Sequence, residues 1–499
     1  MKNYSIRQLS TVGIAANFVA CLLLYFLMDA PTIVDIEHIL YLFLLTLILV
    51  IFVNTSGHVG YPLVMVLVAY VFLKYCLSVP FLMLLPQFGS DWLIERNSMF
   101  TSDHYRRSLS YAVLGTLIAG VGLLAGSRHL LKNKLVDRAR LFSAERPIDI
   151  NIKALLIYVT VLIAIHLYFN PVTGAGYDDE NELNWLRIFM RQTVVRSLIV
   201  AIIVFQWQWL TKGEKASLLI SLVMMVCFSI IEGGRSYIYI LCMILAFTCL
   251  VRYGNFTLSK RFLSYGMVAV IVSVILYPLA TVMRWVGRYY PGGGLFAIDP
   301  IKEGFNEFYL GEKNVFASFL LNILNRFTEP DVPMRIMNDM QLIPVGDLLS
   351  VGSMMKRIIN GLVPGDLFPD IMPPQYLFDH IYIGSFVGFN AQEWGIWEYF
   401  YVMFGYGGGL MCLFLVMVAA GVLWRTVLLG RSWVKHFLVV VFIYFFWMFL
   451  LNYDPAYVLN SAMIELIVFV FVLQILRVMS LGMNLLSQSF SIAVKGSAT

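Results

Sequence analysis

The sequence predicts an all-α polytopic membrane protein of about twelve transmembrane helices, with one large outer loop that carries short interfacial helices. Composition is the first reason. With 60% hydrophobic and 13% charged residues and a mean hydropathy of +0.79, the 499-residue chain has too little polar surface to fold as soluble domains. The second is run length: apolar stretches close to the roughly 20 residues needed to cross about 30 Å of hydrocarbon recur along the chain, separated by polar breaks. They are continuously apolar rather than alternating, which selects helices over a closed barrel of strands. The third is the placement of Lys and Arg, which gather in every second break.

In chain order the expected spans are Thr11–Leu27, Ile39–Val53, Tyr61–Leu85, Tyr111–Leu124, Ile152–Phe169, Thr193–Leu210, Leu218–Ile231, Ser236–Leu250, Leu263–Met283, Tyr399–Val422, Phe437–Leu451 and Val458–Leu476. Lys2 and Arg7 precede the first span without a small-residue cleavage site, so this span is expected to stay attached. The six cysteines, Cys21, Cys76, Cys227, Cys242, Cys249 and Cys412, fall within spans and form no CxxC pair, which reads as core packing.

The basic breaks are the amino terminus, "SRHLLKNKLVDRARLFSAER", Lys212 and Lys215, Arg252 with Lys260 and Arg261, and Arg425, Arg431 and Lys435. The intervening breaks "DIEH", "QFGSDWLIERNSMF", "GYDDENELNW" and "NYDPAY" are acidic or mixed. Twelve spans with both termini in the cytoplasm satisfy this pattern. Three regions follow: 1–283 with the first nine spans, the outer loop 284–398, and 399–499 with the last three spans and a cytoplasmic tail. In the loop, "FASFLLNIL" and "VGDLLSVGSMMKRIINGLV" read as interfacial amphipathic helices, and "LVPGDLFPDIMPPQY" as irregular.

The outer side holds the chemistry. Arg187, Arg191 and Arg196 open the sixth span, Arg235 opens the eighth, Arg284 and Arg288 close the ninth, and Arg326, Arg335 and Arg357 lie in the loop. Positive charge there opposes the orientation rule, and charge within the bilayer costs on the order of 2.5 kcal/mol or more. Pairing with Glu232, Glu329, Asp331 or lipid phosphate accounts for single arginines; a set of them fits a phosphate site, because guanidinium grips phosphate oxygens with paired hydrogen bonds. In "FSIIEGGRSYIYIL", Gly233 and Gly234 allow close backbone approach and Arg235 opens a helix. The acidic run Asp178, Asp179 and Glu180 reads as a solvated loop, and His104 and His380 as outer-face histidines. Lys74 and Glu465 are ionisable residues inside spans, where they either pair within the bundle or line a transport path. No nucleotide-binding loop or metalloprotease motif is present, and neither a metal nor a cofactor is expected.

The ordered segments "EGGRSYIYI", "VMRWVGRYY", "LNRFTEPDVPMRI", "LVPGDLFPD" and "GSFVGFNAQEWGIWEYFYVMFGYGGGL" give the chain from about Arg187 to Gly409 a resemblance to the Wzy group. These bacterial polymerases of oligosaccharide repeat units make O-antigen, enterobacterial common antigen and capsule. The resemblance implies a GT-C-like membrane glycosyltransferase in the bacterial cytoplasmic (inner) membrane, with its active site on the periplasmic side. Its substrate would be undecaprenyl-pyrophosphate-linked oligosaccharide. Its partners would be membrane lipid and the flippase and chain-length regulator of the pathway, with no nucleic acid.

Carried onto this sequence, the pyrophosphate contacts are Arg235, Arg284, Arg288 and Arg326, joined by Arg187, Arg191 and Arg196. Glu329, Asp331 and His380 are the candidates for the base, with no choice among them. Tyr289, Tyr290 and Tyr376 are sugar-stacking candidates, as are Trp285, Trp394 and Trp397. An O-antigen ligase shares the leaving group, and a lipid-linked oligosaccharide flippase is the reading without chemistry. The order of the outer segments favours the polymerase over the ligase, and the clustering of charge at the outer edge with no repeated halves weighs against the flippase.

Overall fold

The computed structural model of the protein describes residues 4–27, 34–55, 58–88, 102–128, 150–169, 192–231, 236–253, 257–258, 279–280, 282–283, 286, 298–306, 350–362, 367–368, 371, 396–430, 433–451 and 455–496. Among them the chain is helical apart from short connections and a two-residue antiparallel pairing of Tyr4–Ser5 with Thr257–Leu258. Eight helices are long and apolar enough to cross a membrane, and three shorter apolar ones accompany them; the protein is a polytopic membrane protein.

Helices α1 (Ile6–Leu27) and α2 (Ile36–Val53) are followed by α3 (Tyr61–Val71), which passes through a π turn at Phe72–Cys76 into α4 (Ser78–Phe88). Next come α5 (Ser102–Arg128), α6 (Ile152–Phe169) and α7 (Gln192–Ala201), the last continuing through a π turn at Ile202–Gln206. Helices α8 (Lys212–Ile231) and α9 (Ser236–Tyr253) precede two short helices, α10 (Ile298–Phe305) and α11 (Val351–Leu362). Helices α12 (Ile396–Leu429), α13 (Val434–Leu451) and α14 (Pro455–Gly496) complete the chain.

The expected spans coincide with these helices except the ninth, Leu263–Met283, which lies outside the described residues but for helical positions at 279, 280, 282 and 283. Helix α11 occupies the second amphipathic segment expected in the loop; the first, 316–324, lies outside the described residues. Helix α10 is an addition, with Pro300 in its first turn, where a missing N–H costs nothing.

Local chemistry sets the helix starts. The Asp35 side chain accepts from the N–H groups of Glu37 and His38 while His38 reaches back, a reciprocal cap on α2. Burial pushes the Asp35 carboxyl up, but the hydrogen bonds and charge of His38, with the N–H of Glu37, outweigh it and hold the pKa below its ordinary value. Thr211 and Glu214 cap α8 in the same way, and Pro62 opens α3.

Contacts sort the helix ends into two sets. At one end Arg7 bonds Asn54, Ser127 meets His58, Trp424 donates to the Val59 carbonyl, Gln206 meets His436, and Arg252 reaches Gln208. These are the breaks that carry the basic residues, and we call this the basic end. At the opposite end Arg106 pairs with Glu37, and Arg196 with Ser229. This is the grouping that up-and-down threading requires.

Two apolar clusters build the interior, one centred on α2, α3, α5 and α12 and the other on α6, α7, α8 and α14. Helix α13 contributes to both, with Val439, Val440 and Ile443 in the first and Phe437 and Val441 in the second. It is apolar all round because it has neighbours all round. Cys21 and Cys76 are core residues as expected, whereas Cys227 and Cys242 face outward, on helices with an unpacked face.

The closest helix contact joins α5 and α12. A Cβ on Gly122 would lie 2.9 Å from the Phe414 carbonyl oxygen, one on Gly126 would strike the Val418 carbonyl, and one on Gly421 would lie 2.7 Å from the Leu123 carbonyl oxygen. Lipid chains are as apolar as leucine, so backbone approach through small residues, rather than hydrophobicity, holds such helices together. Gly126→Leu is therefore expected to lower the unfolding temperature of the detergent-solubilised protein by several degrees, since overpacking costs about 1–3 kcal/mol. Gly13→Ala, where nothing lies within 4 Å of the new Cβ, is expected to leave it unchanged or slightly higher.

Candidate functional site

Helix α12 is broken. Gly405 has φ 69° and ψ −176°, a conformation open essentially to glycine alone, and it divides the element into a short helix, 396–404, and a long one, 406–429. The short helix doubles back along the long one: a Cβ on Gly409 would lie 2.8 Å from the Phe400 carbonyl oxygen, which a continuous helix would place far away. The long part extends about 36 Å at ~1.5 Å per residue, enough to cross the membrane alone. The expected tenth span, Tyr399–Val422, is thus corrected: its first residues belong to the folded-back helix.

Consecutive side chains of the short helix reach different partners. Trp397 is fully buried against Tyr70, with ring centroids 5.5 Å apart, and against Gly115 of α5. Glu398 accepts a 2.6 Å hydrogen bond from the Tyr75 hydroxyl and pairs with Lys74 Nζ at 3.6 Å. The Tyr399 hydroxyl accepts from Arg357 Nη2 of α11 at 3.1 Å, and Asn460 of α14 donates to the Arg357 carbonyl at 3.1 Å. Tyr401 packs edge-on to Tyr111 of α5, at 5.0 Å between centroids.

Lys74 and Glu398 are 5% and 2% exposed, so both charges have left water and each depends on the other. The π turn at Phe72–Cys76 carries Lys74, and just beyond it Pro80 has no N–H for the Cys76 carbonyl, so carbonyls here take other donors. Asn17 supplies one to the Cys76 carbonyl at 3.1 Å, and Ser78 one to the Tyr75 carbonyl at 2.6 Å. The Tyr70 and Tyr75 rings lie 5.9 and 5.7 Å from Lys74 Nζ, and their faces add cation–π attraction. With Oε1 taken by Tyr75 and Oε2 beside Lys74, Glu398 is a fastener rather than a base.

Arg196 is buried at the same end of the bundle. Its Nη2 donates to Ser229 Oγ at 2.7 Å, and Ser229 in turn donates to the Met225 carbonyl, so the hydroxyl both accepts and donates. Arg196 and Ser229 edge a narrow crevice otherwise lined by Ile199, Leu222, Met225, Val226 and Leu241. Ser229 lies in the last turn of α8, which ends at Ile231.

Of the remaining site residues expected from the sequence, Arg187, Arg191, Arg235, Arg284, Arg288, Tyr289, Tyr290, Arg326, Glu329, Asp331, Tyr376 and His380 lie outside the described residues. Lys74 pairs within the bundle, one of the two readings open to it. Trp397 is a core residue rather than a surface aromatic. Glu398, Tyr75, Tyr111 and the Gly405 break were not singled out. An unmatched lysine in the third span and the glycine run "GYGGG" were the signals available. No cluster of three or more His, Cys, Asp or Glu side chains suited to a metal occurs among the described residues.

The chain matches no protein-family model, and no curated protein or solved structure is significantly similar to it.

Removing one buried charge strands the other. Lys74→Met is expected to cost about 3–5 kcal/mol in reversible unfolding in mixed micelles, with the double variant Lys74→Met, Glu398→Gln recovering much of that loss. Additive losses would show that the pair is not coupled.

Proposed function

We propose that the protein joins lipid-pyrophosphate-linked oligosaccharide units into a polysaccharide at the membrane face opposite its basic loops. The observation that carries this reading is Arg196, a buried guanidinium bonded to Ser229 at the edge of a narrow apolar crevice, on the helix end that the "EGGRS" segment follows in sequence. Such a pairing of fixed positive charge with hydrocarbon suits a substrate that is itself a diphosphate on a lipid chain.

In the reaction, the acceptor hydroxyl attacks the anomeric carbon of the donor sugar and its proton passes to a base. The bond between that carbon and the pyrophosphate oxygen breaks, and lipid pyrophosphate leaves with the bonding electrons. Negative charge on the leaving oxygen grows as the bond lengthens, so arginines already in place stabilise the transition state more than the bound substrate. Arg196 and Arg235 are the pair assigned to this task, with Arg284, Arg288 and Arg326 as further contacts. The base is sought among Glu329, Asp331 and His380. Membership of the Wzy group rests on the sequence resemblance.

In cells lacking the native copy, Arg235→Ala and Arg196→Ala are each expected to cut chain formation by about a hundredfold, the scale for losing one stabilising donor. Surface polysaccharide on a gel would then show single capped units without a ladder. Arg235→Lys is expected to rescue poorly, because an ammonium lacks the planar fork. Normal ladders from all three would remove these arginines from the site, and failure of the unaltered protein to restore a ladder would remove the polymerase reading.

A further inference from the structure

The break at Gly405 creates a helix N-terminus at the bundle end opposite the basic loops. The first N–H groups of the 406–429 helix have no carbonyl one turn before them, and its dipole places partial positive charge there. Glycines line that turn, and a Cβ on Gly405 or Gly407 would meet no atom within 4 Å, so a ligand has open access to the backbone.

A second observation is independent of the helix. The Tyr111 hydroxyl is directed at the same turn, 2.5 Å from where a Cβ on Gly409 would stand. Tyr111 is 1% exposed and its hydroxyl has no hydrogen-bond partner among the described residues, although an unmet buried hydroxyl is costly. Tyr401 and Tyr406 flank it, with centroids 5.0 and 5.3 Å from the Tyr111 ring, and Tyr406 is 48% exposed. Helix N–H groups and an unmet hydroxyl together form a set of donors, which is what an oxyanion requires.

We propose that the Gly405–Gly409 turn and the Tyr111 hydroxyl bind a phosphate-class oxyanion. Gly407 and Gly408 admit the phosphoryl oxygens to the backbone, Tyr111 donates from the side, and the Tyr401 and Tyr406 rings wall the site. The anion site stands on this geometry alone. Its assignment to the acceptor rests on the polymerase reading, in which two lipid diphosphates meet: the donor's pyrophosphate lies with Arg196 and Arg235, and the acceptor's at the Gly405 turn.

The test places a reporter in the turn. Gly407→Cys fits the open space, and its alkylation in the full-chain protein in lipid nanodiscs is followed by mass spectrometry of that peptide, apart from the exposed Cys227 and Cys242. Saturating inorganic pyrophosphate or farnesyl diphosphate is expected to slow alkylation about tenfold. Adding Tyr111→Phe, which keeps the ring contacts, is expected to raise the half-protecting concentration about tenfold, the scale of one hydrogen bond to a charged group. Equal protection by the two probes assigns a free phosphate ligand, and stronger protection by the prenyl compound assigns a lipid headgroup.

Unchanged alkylation with both probes, or protection indifferent to Tyr111→Phe, would overturn the site. Arg235→Ala in the Gly407→Cys protein separates the two proposals: protection at position 407 is expected to persist where the polysaccharide ladder is lost. A retained ladder in Arg235→Ala would remove Arg235 from the donor site without touching the anion site, whereas failure of the unaltered protein to restore a ladder would sink the polymerase reading alone.

Discussion

A lysine and a glutamate face each other inside an apolar bundle, and the arrangement around them follows from that burial. Neither charge would be tolerated alone at this depth, so Lys74 and Glu398 must meet, and to meet they need unusual backbone on both sides. On one side a π turn carries Lys74. On the other, the chain enters the bundle as a short helix and reverses at Gly405 before crossing. Tyr75 supplies a hydrogen bond to one oxygen of the carboxylate, and Lys74 stands beside the other, which helps offset the cost of leaving water.

The folded-back helix thereby joins parts of the protein that are far apart in sequence. Through Trp397 and Glu398 it is attached to α3 and α5, and through Tyr399 to α11, a helix of the segment expected as the outer loop. Asn460 continues the connection from Arg357 to α14. The long part of α12 is fixed separately, by the glycine-lined crossing with α5. Each half of the broken helix therefore has its own anchorage, and the turn between them is left accessible. A bend of this kind, with free N–H groups at the edge of the membrane, is sustained only where protein or water satisfies it.

Buried guanidinium groups occur at both ends of the bundle, Arg196 and Arg357 at one and Arg425 at the other. Arg196 and Arg357 each donate to a neutral hydroxyl, of Ser229 and Tyr399 respectively.

Much of this was legible in the sequence. Run length and hydropathy identify the membrane helices, because the thickness of hydrocarbon prescribes both; Ile152–Phe169 agrees with the expected span to the residue. The alternation of basic breaks anticipated which ends meet, since consecutive crossings must alternate. Partners were not legible. Nothing in a linear pattern couples Lys74 to Glu398 across more than three hundred positions. The Gly405 reversal was hidden for a related reason: 396–429 is apolar throughout, and hydropathy does not record a change of direction. The sequence by itself determined that the chain is a polytopic membrane protein of apolar helices, because that depends on local composition. Only the tertiary structure decided which charges share a site and which glycine breaks a helix, because those depend on what packs against them.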